Sequence, residues 1–539
     1  MVVRHICQKF FRFSGLILGV TIAGICGPAI AAPDWLGEAG IDALRLHQAP
    51  YNLLGRKIAI GQVEIGRPGQ FGLDKPLSRR RSLDVTQVFW RDRPAKTGSN
   101  LDGHASQVAN IMISKDKRFP GVSPAARLYS AAIGVIRKGG QPQECLTTQY
   151  IAMQNGGDVR AINFSFGESL EEDTRPNPIL DGNALLTQCI DWSARVHNVL
   201  YVIAGNQGKG GIPIPTDNFN GINIAFTMRR DGVFRKVDFA NLGSIFSGKL
   251  QRLQGKEGNI DGRRSVNLLA PGSNLFLLGI DGKVTKGSGT SFAAPHVTGT
   301  VALLQEYGDK QLRNKQPNWS LDSRRHEVMK AVLINSADKI KDNGDGLLLG
   351  MTRTIIDQQN RDWLVSEAFS SRDIPLDSQK GAGQLNAFRA YQQFSSGQYS
   401  PDAPVAPIGW DYRSVTANGN NSFRDYVINQ PLKEGSFVAI TLVWDRLVEL
   451  NDSNNNGEYD LEETFIDRGL NHLELYLMPA NSNNINDAVW SSVSAVDNIQ
   501  HIFHQIPKGD RYKIRVLYRQ QVNQPSQPYS LAWWTVPQR

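Results

Sequence analysis

From Lys57 onward, short runs of β-branched and apolar residues alternate with stretches whose apolar positions recur at helical spacing. Lys57 to Glu64 precedes a helical pattern over His104 to Ile113, and Arg127 to Ala132 precedes one over Leu146 to Asn155. Ala161 to Ser165 precedes a third over Asn183 to His197, and Leu200 to Ala204 follows it. Strands that alternate with helices are joined by crossovers and lie parallel, so the pattern predicts an α/β fold, a parallel sheet with helices on both faces. In such a sheet the loops at the carboxyl ends of the strands are free for chemistry. Two more helices are predicted over Ser291 to Glu306 and Glu327 to Ser336.

Near residue 395 the character changes. Phe394 to Pro401, with Pro404 and Pro407 beyond, has the composition of a linker, and helical periodicity then fades. Phe437 to Trp444, His472 to Met478, Ala488 to Val496, Ile499 to Ile506, Tyr512 to Tyr518 and Tyr529 to Val536 read as strands separated by polar turns. The expected organisation is an α/β domain over residues 32–394, a linker over 395–408 and a C-terminal all-β sandwich of jelly-roll type over 409–539.

Residues 1–31 are set apart from both. Arg4, Lys9 and Arg12 precede an apolar stretch from Ser14 to Cys26, and Ala29, Ile30, Ala31 form a small-x-small cleavage site. This is the pattern of a cleaved signal peptide, which directs a chain to the periplasm or outside the cell. An uncleaved anchor is the alternative, because Phe13 to Pro33 carries no charge; Gly15, Gly19, Gly24, Gly27 and Pro28 favour cleavage, and no stable membrane insertion is then expected. Cleavage would remove Cys7 and Cys26 and leave Cys145 and Cys189, enough for one bridge in an oxidising compartment if their Cα atoms approach within about 7 Å.

Charge excludes one class of function. Lys and Arg number 59 against 51 Asp and Glu, a net charge of +8 that is scattered apart from Arg79, Arg80, Arg81. No interleaving of aromatic and basic residues suggests a base-stacking surface, so nucleic acid is not an expected partner. The arginine run is either a processing site or a solvated loop.

The chemistry concentrates in Gly287, Ser288, Gly289, Thr290, Ser291, Phe292, Ala293, Ala294, Pro295. A nucleophilic serine needs a backbone that permits close approach and a helix N-terminus whose free N–H groups face developing negative charge; Gly289 and a helix opening at Ser291 supply both. This segment resembles the serine motif of the subtilisin-like serine peptidases, and other segments follow in that family's order. Leu101 to Ala109 resembles the histidine motif around His104, Ile162 to Gly167 the strand along which a peptide pairs, and Leu200 to Asn206 the strand that ends in the oxyanion-hole asparagine. Gly121 to Pro124, Leu269 to Gly272 and Gly381 to Asn386 are smaller matches, so the resemblance spans roughly residues 35–392.

The resemblance implies a serine endopeptidase whose partners are peptide or protein substrates and whose chemistry needs no cofactor. His104 would take the proton of Ser291 and return it to the leaving amine, Asn206 and the Ser291 N–H would hold the oxyanion, and Ser165, Phe166 and Gly167 would pair with substrate.

Departures from the family pattern matter. Where the family keeps an aspartate on its first strand, Ile60 to Gly66 offers Glu64, and the expected triad is Glu64, His104, Ser291; a competing register puts Gln62 there and leaves the imidazole without a countercharge. Ala105 replaces a glycine and Gln107 a second histidine. Only some twenty-five residues separate Ala31 from the catalytic strand, so folding without an inhibitory pro-domain is expected. The altered acid also motivates the alternative of a catalytically impaired relative that binds peptides or adheres through its β domain.

The remaining histidines lie outside metal-ligand spacings. In the β domain, however, Asp452, Asn454, Asn456, Glu458, Asp460 and Glu463 fall at alternate places of a loop with Gly457 at its sixth position and Glu463 at its twelfth. Oxygen donors at that spacing, with a glycine for the sharp turn, are the pattern of a structural Ca²⁺ site; an Asn-rich hairpin turn is the alternative.

Overall fold

Ala59–Glu64 (β1) is buried along its whole length, as a strand covered on both faces must be. The computed structural model describes residues 34–74, 82–136, 138–207, 213–238, 259–417, 419 and 422–538. The signal segment and Arg79 to Arg81 lie outside the described residues. β1 sits inside a sheet with Gln87–Trp90 (β2), Arg127–Ala132 (β3), Val159–Phe164 (β4), Leu200–Ala204 (β5), Ile222–Arg230 (β6) and Leu268–Pro271 (β7). Their order is β2-β3-β1-β4-β5-β6-β7 and all these pairings are parallel. Short strands Arg93–Pro94, Val233–Lys236 and Ile355–Ile356 complete ten.

The chain leaves β1 toward β3 on one side and returns to β4 on the other. The crevice outside the carboxyl ends of β1 and β4 is therefore the switch point at which open α/β sheets bind ligands. Gly103–Ile113 (α1), Gln141–Ala152 (α2), Leu185–His197 (α3), Thr290–Arg313 (α4), His326–Asn335 (α5) and Ala387–Ser395 (α6) cover the sheet. Side-chain alternation divides β1 between two cores: Ile60 packs with α1 and α4, while Ala59 and Val63 pack with α2 and α3.

The predicted elements are present with shifted ends. α2 starts at Gln141 rather than Leu146, because Pro142 is tolerated in a first turn, and the backbone becomes left-handed at Asn155 and Gly156. α4 runs to Arg313, one and a half turns or more past Glu306.

The C-terminal part is a sandwich of two four-stranded antiparallel sheets. Ile408–Thr416 (β8), Phe423–Val427 (β9), Phe437–Val443 (β10), Val448–Asn451 (β11), Thr464–Asp467 (β12), His472–Pro479 (β13), Trp490–Ser492 (β14), Ile499–Gln505 (β15), Tyr512–Gln520 (β16) and Ser526–Trp534 (β17) form it. The orders are β8-β17-β10-β15 and β9-β16-β13-β14, with β11 and β12 as a separate hairpin. The strand expected over Ala488 to Val496 shrinks to β14, since Val493 N donates to Arg372 O instead of a ladder partner.

The two parts share a core. Trp410, Val443, Ile499 and Ala532 belong to the same buried cluster as α4 and α5. Gln393 Nε2 donates to Trp533 O at 2.9 Å and Thr441 Oγ1 to Asn335 Oδ1 at 3.0 Å. The stretch of linker composition is tied down as well: Val405 is buried and its N–H donates to Val427 O. A disulfide joins Cys145 on α2 to Cys189 on α3, Cα atoms 5.8 Å apart, and beside it the β11–β12 hairpin buries Val448 and Tyr459. Closing a loop of that length stabilises the fold by about 4 kcal/mol in the chain-entropy account.

Candidate active site

Glu64 ends β1, and its side chain is 2% exposed beside His104, which is 39% exposed in the first turn of α1. His104 Nδ1 donates to Glu64 Oε2 at 3.2 Å. α1 begins where it does because Asp102 caps it, accepting Ala105 N at 2.7 Å. Gly66 lets the chain leaving β1 pass this cap, since a Cβ there would lie 2.3 Å from Asp102 Cβ.

Depth along the strand separates the two residues that could face the ring. Gln62 and Glu64 share a face, but Gln62 lies about 6.6 Å deeper along the strand. Its Nε2 donates to Ala105 O at 2.9 Å and its Oε1 accepts Ser130 Oγ at 3.3 Å, so it supports the start of α1 rather than the imidazole.

Electrostatics follows from burial. Desolvation raises the pKa of Glu64 above its ordinary value, and His104 opposes this. Burial also works against charge on His104, yet the hydrogen bond and charge of Glu64 outweigh it and raise the imidazole pKa. The pair therefore favours a protonated ring more than water does.

Ser291 occupies the first turn of α4. Gly289 precedes it at φ 147°, which gives the chain its sharp entry into the helix. Ser291 Oγ donates to Ser165 O at 3.4 Å, and Ser165 Oγ donates back to Ser291 O at 2.9 Å, which locks the serine turn against the end of β4. Phe166 stacks on Phe164, and Glu168 exchanges two backbone hydrogen bonds with Ile214. Asn206 follows β5 and is buried. The parallel register, with Val63 opposite Phe164 and Phe164 opposite Ile203, brings Glu64, Ser165 to Gly167 and Asn206 to one edge of the sheet.

Elsewhere, His296 is neutral and structural: burial lowers its pKa to about 4, and it donates through Nδ1 to Phe292 O. Among the described residues, one group of three acids or histidines holds potential ligand atoms within 4.8 Å, and it is His326, Glu327 and Asp445. His326 Nδ1 meets Glu327 Oε2 at 3.2 Å and Nε2 meets Asp445 Oδ2 at 3.1 Å, an imidazole held between two carboxyl groups where α5 meets the β part. Asp445 is 119 residues further on, so sequence spacing held no signal for it.

The expected calcium loop closes the β11–β12 hairpin. Asp452 accepts Asn456 N at 3.2 Å and Gly457 N at 2.8 Å, and Glu463 accepts Ser453 N at 2.7 Å and Asp460 N at 3.0 Å. Asn454 and Asn456 donate through Nδ2 to Asp460 Oδ2. Glu458 N donates to Asn456 Oδ1 at 2.7 Å. The donor set is all oxygen and acidic, which fits a hard cation, and Gly457 has φ 78° at the turn.

The profile of the subtilase family, Peptidase_S8, matches residues 67–352, which takes in His104, Asn206 and Ser291 and begins just past Glu64. The chain is 24% identical over 249 residues to thermitase of Thermoactinomyces vulgaris, covering 46% of this chain and 72% of that one. It is 25% identical over 253 residues to subtilisin Savinase of Lederbergia lenta, covering 46% and 77%. Among solved structures, a cold adapted subtilisin-like serine proteinase is similar at 18% identity over 56% of this chain and 89% of that one, with a TM-score of 0.35.

Proposed function

Because this chain belongs to the subtilase family, we propose that it is a serine endopeptidase working through Glu64, His104 and Ser291. The observation that supports the reading best is the 3.2 Å link from a buried carboxylate to an imidazole on the same sheet edge as a helix-terminal serine. Ser291 Oγ turns from Ser165 O to His104 Nε2, loses its proton there and attacks a peptide carbonyl. Glu64 holds Nδ1–H and stabilises the imidazolium that forms. The tetrahedral oxygen lies between the Asn206 amide and the Ser291 N–H, where the α4 dipole favours negative charge. His104 then protonates the leaving amine, and water resolves the acyl-enzyme by the same steps in reverse.

Substrate backbone would pair along Ser165, Phe166 and Gly167. The N-terminal segment, read as a cleaved signal, would place this activity in the periplasm or outside the cell. Among the described residues no helix is long and apolar enough to cross a membrane.

A fluorophosphonate probe tests the proposal, since it needs an activated serine and no knowledge of substrate. Stoichiometric labelling at Ser291, located by peptide mass spectrometry, is the expected result; a folded protein that stays unlabelled and cleaves no peptide would instead be a peptide-binding relative. The Ser291 hydroxyl, turned toward Ser165 O, is the feature that favours this second reading.

The 452–463 loop is proposed as a structural Ca²⁺ site, with Asp452, Asn454, Asn456, Asp460, Glu463 and the segment at Glu458 as ligands. Its Tyr459 exchanges hydrogen bonds with Gln149 of α2, so ordering the loop would steady the contact between the two parts. Ca²⁺ at a hundred times its Kd should add about 2.7 kcal/mol of stability, read as a higher Tm that EDTA removes and that Asp452→Asn with Glu463→Gln abolishes.

A further inference from the structure

Two side chains of α1 that the proposed mechanism does not use reach the segment that delivers the serine. Leu275–Leu278 and Val284–Gly287 form an antiparallel hairpin, and Ser288 and Gly289 lead from it into α4. Gln107 follows His104 on α1, at the place where the subtilisin-like pattern keeps a second histidine, and its Nε2 donates to Thr285 Oγ1 at 2.6 Å. Thr285 Oγ1 donates in turn to Leu277 O at 3.4 Å, across the hairpin, so its proton is engaged and its lone pair receives the Gln107 amide. Asn110 is 7% exposed and donates through Nδ2 to Leu278 O at 3.0 Å and to Ser106 O at 2.8 Å. One side chain of α1 therefore holds each strand of the hairpin.

The end of the hairpin bears on the catalytic ring. Gly287 lies against Phe292, since a Cβ there would sit 2.7 Å from Phe292 Cε2. Phe292 is buried next after Ser291, and its ring centroid is 5.3 Å from that of His104, with the planes tilted by 51°. Between hairpin and helix, Gly289 N donates to Gly272 O at 2.8 Å and Asn274 N donates to Ser288 Oγ at 2.8 Å, which leaves the link little slack. The contacts make a closed circuit. It runs from His104 along α1 to Gln107 and Asn110, across to the hairpin, on to Gly287, and through Phe292 back to His104.

We infer that Gln107 and Asn110 are positioning residues: by clamping the hairpin to α1 they hold Phe292 against the imidazole and set the distance from His104 to Ser291. The inference rests on the proposed function and adds to it the means by which base and nucleophile, carried on separate helices, stay aligned. Loss of the clamp would leave every reacting group present but misplaced, and a misplacement of about 1 Å can cost about 10²-fold in rate. Thr285 is exposed, so its hydrogen bond contributes little to global stability, and the expected effect is on alignment rather than on folding.

Three variants test one bond from both ends. Gln107→Met keeps the length and removes the donor, Thr285→Val keeps the shape and removes the acceptor, and Thr285→Ser keeps the acceptor. In full-length protein, kcat on a cleaved peptide and the rate of fluorophosphonate labelling should each fall about 10-fold in Gln107→Met and in Thr285→Val, and no further in the double variant. Adding Asn110→Ala to Gln107→Met should bring the loss to at least about 30-fold. KM should stay within about 3-fold and Tm within about 4 °C, and the acid limb of the pH profile should not move, because Glu64 still faces the ring. Thr285→Ser should keep wild-type rates.

A signal from the ring itself separates the clamp from the chemistry. With ¹³C at histidine Cε1, the His104 resonance, displaced by the Phe292 ring current, should move in Gln107→Met and Thr285→Val and stay in place in Thr285→Ser. An unmoved resonance overturns the inference, and so does a moved one with rates within about 2-fold of wild type. A loss of rate that follows a fall in Tm, or that Thr285→Ser shares, overturns it too. A wild type that takes no label and cleaves nothing sinks the serine mechanism, and the His104 resonance still decides whether the clamp holds the ring.

Discussion

Replacing Ser291 by alanine is expected to lower kcat on a cleaved peptide by about 10⁶-fold while leaving KM within about 3-fold. In the proposed mechanism Ser291 Oγ forms the bond to the substrate carbonyl, so no other group in the site can substitute for it. The small change in KM follows because binding in the proposed mechanism comes from the backbone of Ser165 to Gly167, and when the 3.4 Å bond from the Ser291 hydroxyl is lost the 2.9 Å bond from Ser165 Oγ to the Ser291 carbonyl still holds the serine turn. Residual hydrolysis of about 10³-fold over water should persist from the oxyanion site alone. Single-turnover kinetics on both proteins measures all three quantities. A Ser291→Ala protein that retains wild-type turnover would remove the serine from the chemistry.

Replacing Glu64 by glutamine should cost about 10⁴-fold in kcat and, unlike a merely structural lesion, should also move the pH profile. In the wild type, Glu64 raises the His104 pKa, and the ring must be neutral to accept the Ser291 proton. The acid limb of kcat/KM therefore lies above the usual imidazole value near 6.5. A glutamine keeps the shape but removes the countercharge, while burial, which disfavours the imidazolium, remains. The limb should shift to lower pH as the plateau drops. The two effects have opposite signs at acidic pH, so the relative loss is smallest there and largest on the plateau. A plateau loss with an unmoved limb would mean that Glu64 does not set the ionisation of His104.

Along the chain the trailing Gly66 and the spacing to His104 pointed to Glu64, while Gln62 stayed open as a competitor because both residues lie on one strand face. Depth separates them: the last residue of β1 reaches the rim where His104 stands, and the residue two places earlier reaches only Ala105 O. Strand ends and pairings behaved similarly. The alternation of apolar runs announced β1, β3, β4 and β5 but not β6 or β7, although Leu269 to Gly272 on β7 was a motif match; parallel pairing with β6 places β7 in the sheet.

The sharing of a core between the α/β part and the sandwich was hidden for a related reason. Composition around residue 395 reads as a linker, yet Val405 and Trp410 are buried by partners hundreds of residues away in some cases and tens in others. Cys145 and Cys189 were eligible to pair by type and compartment; only the packing of α2 on α3 brought their Cα atoms to 5.8 Å.

By itself the amino-acid sequence determined the parallel α/β architecture, the order of its serine, histidine and asparagine segments, and the change to an all-β tail, because periodicity and glycine placement act through local backbone geometry. Tertiary structure decided that Glu64 rather than Gln62 meets the imidazole, and that Cys145 and Cys189 come close enough to join. Those outcomes depend on distances between elements far apart in the chain, and such distances are set by how the whole sheet and its helices pack.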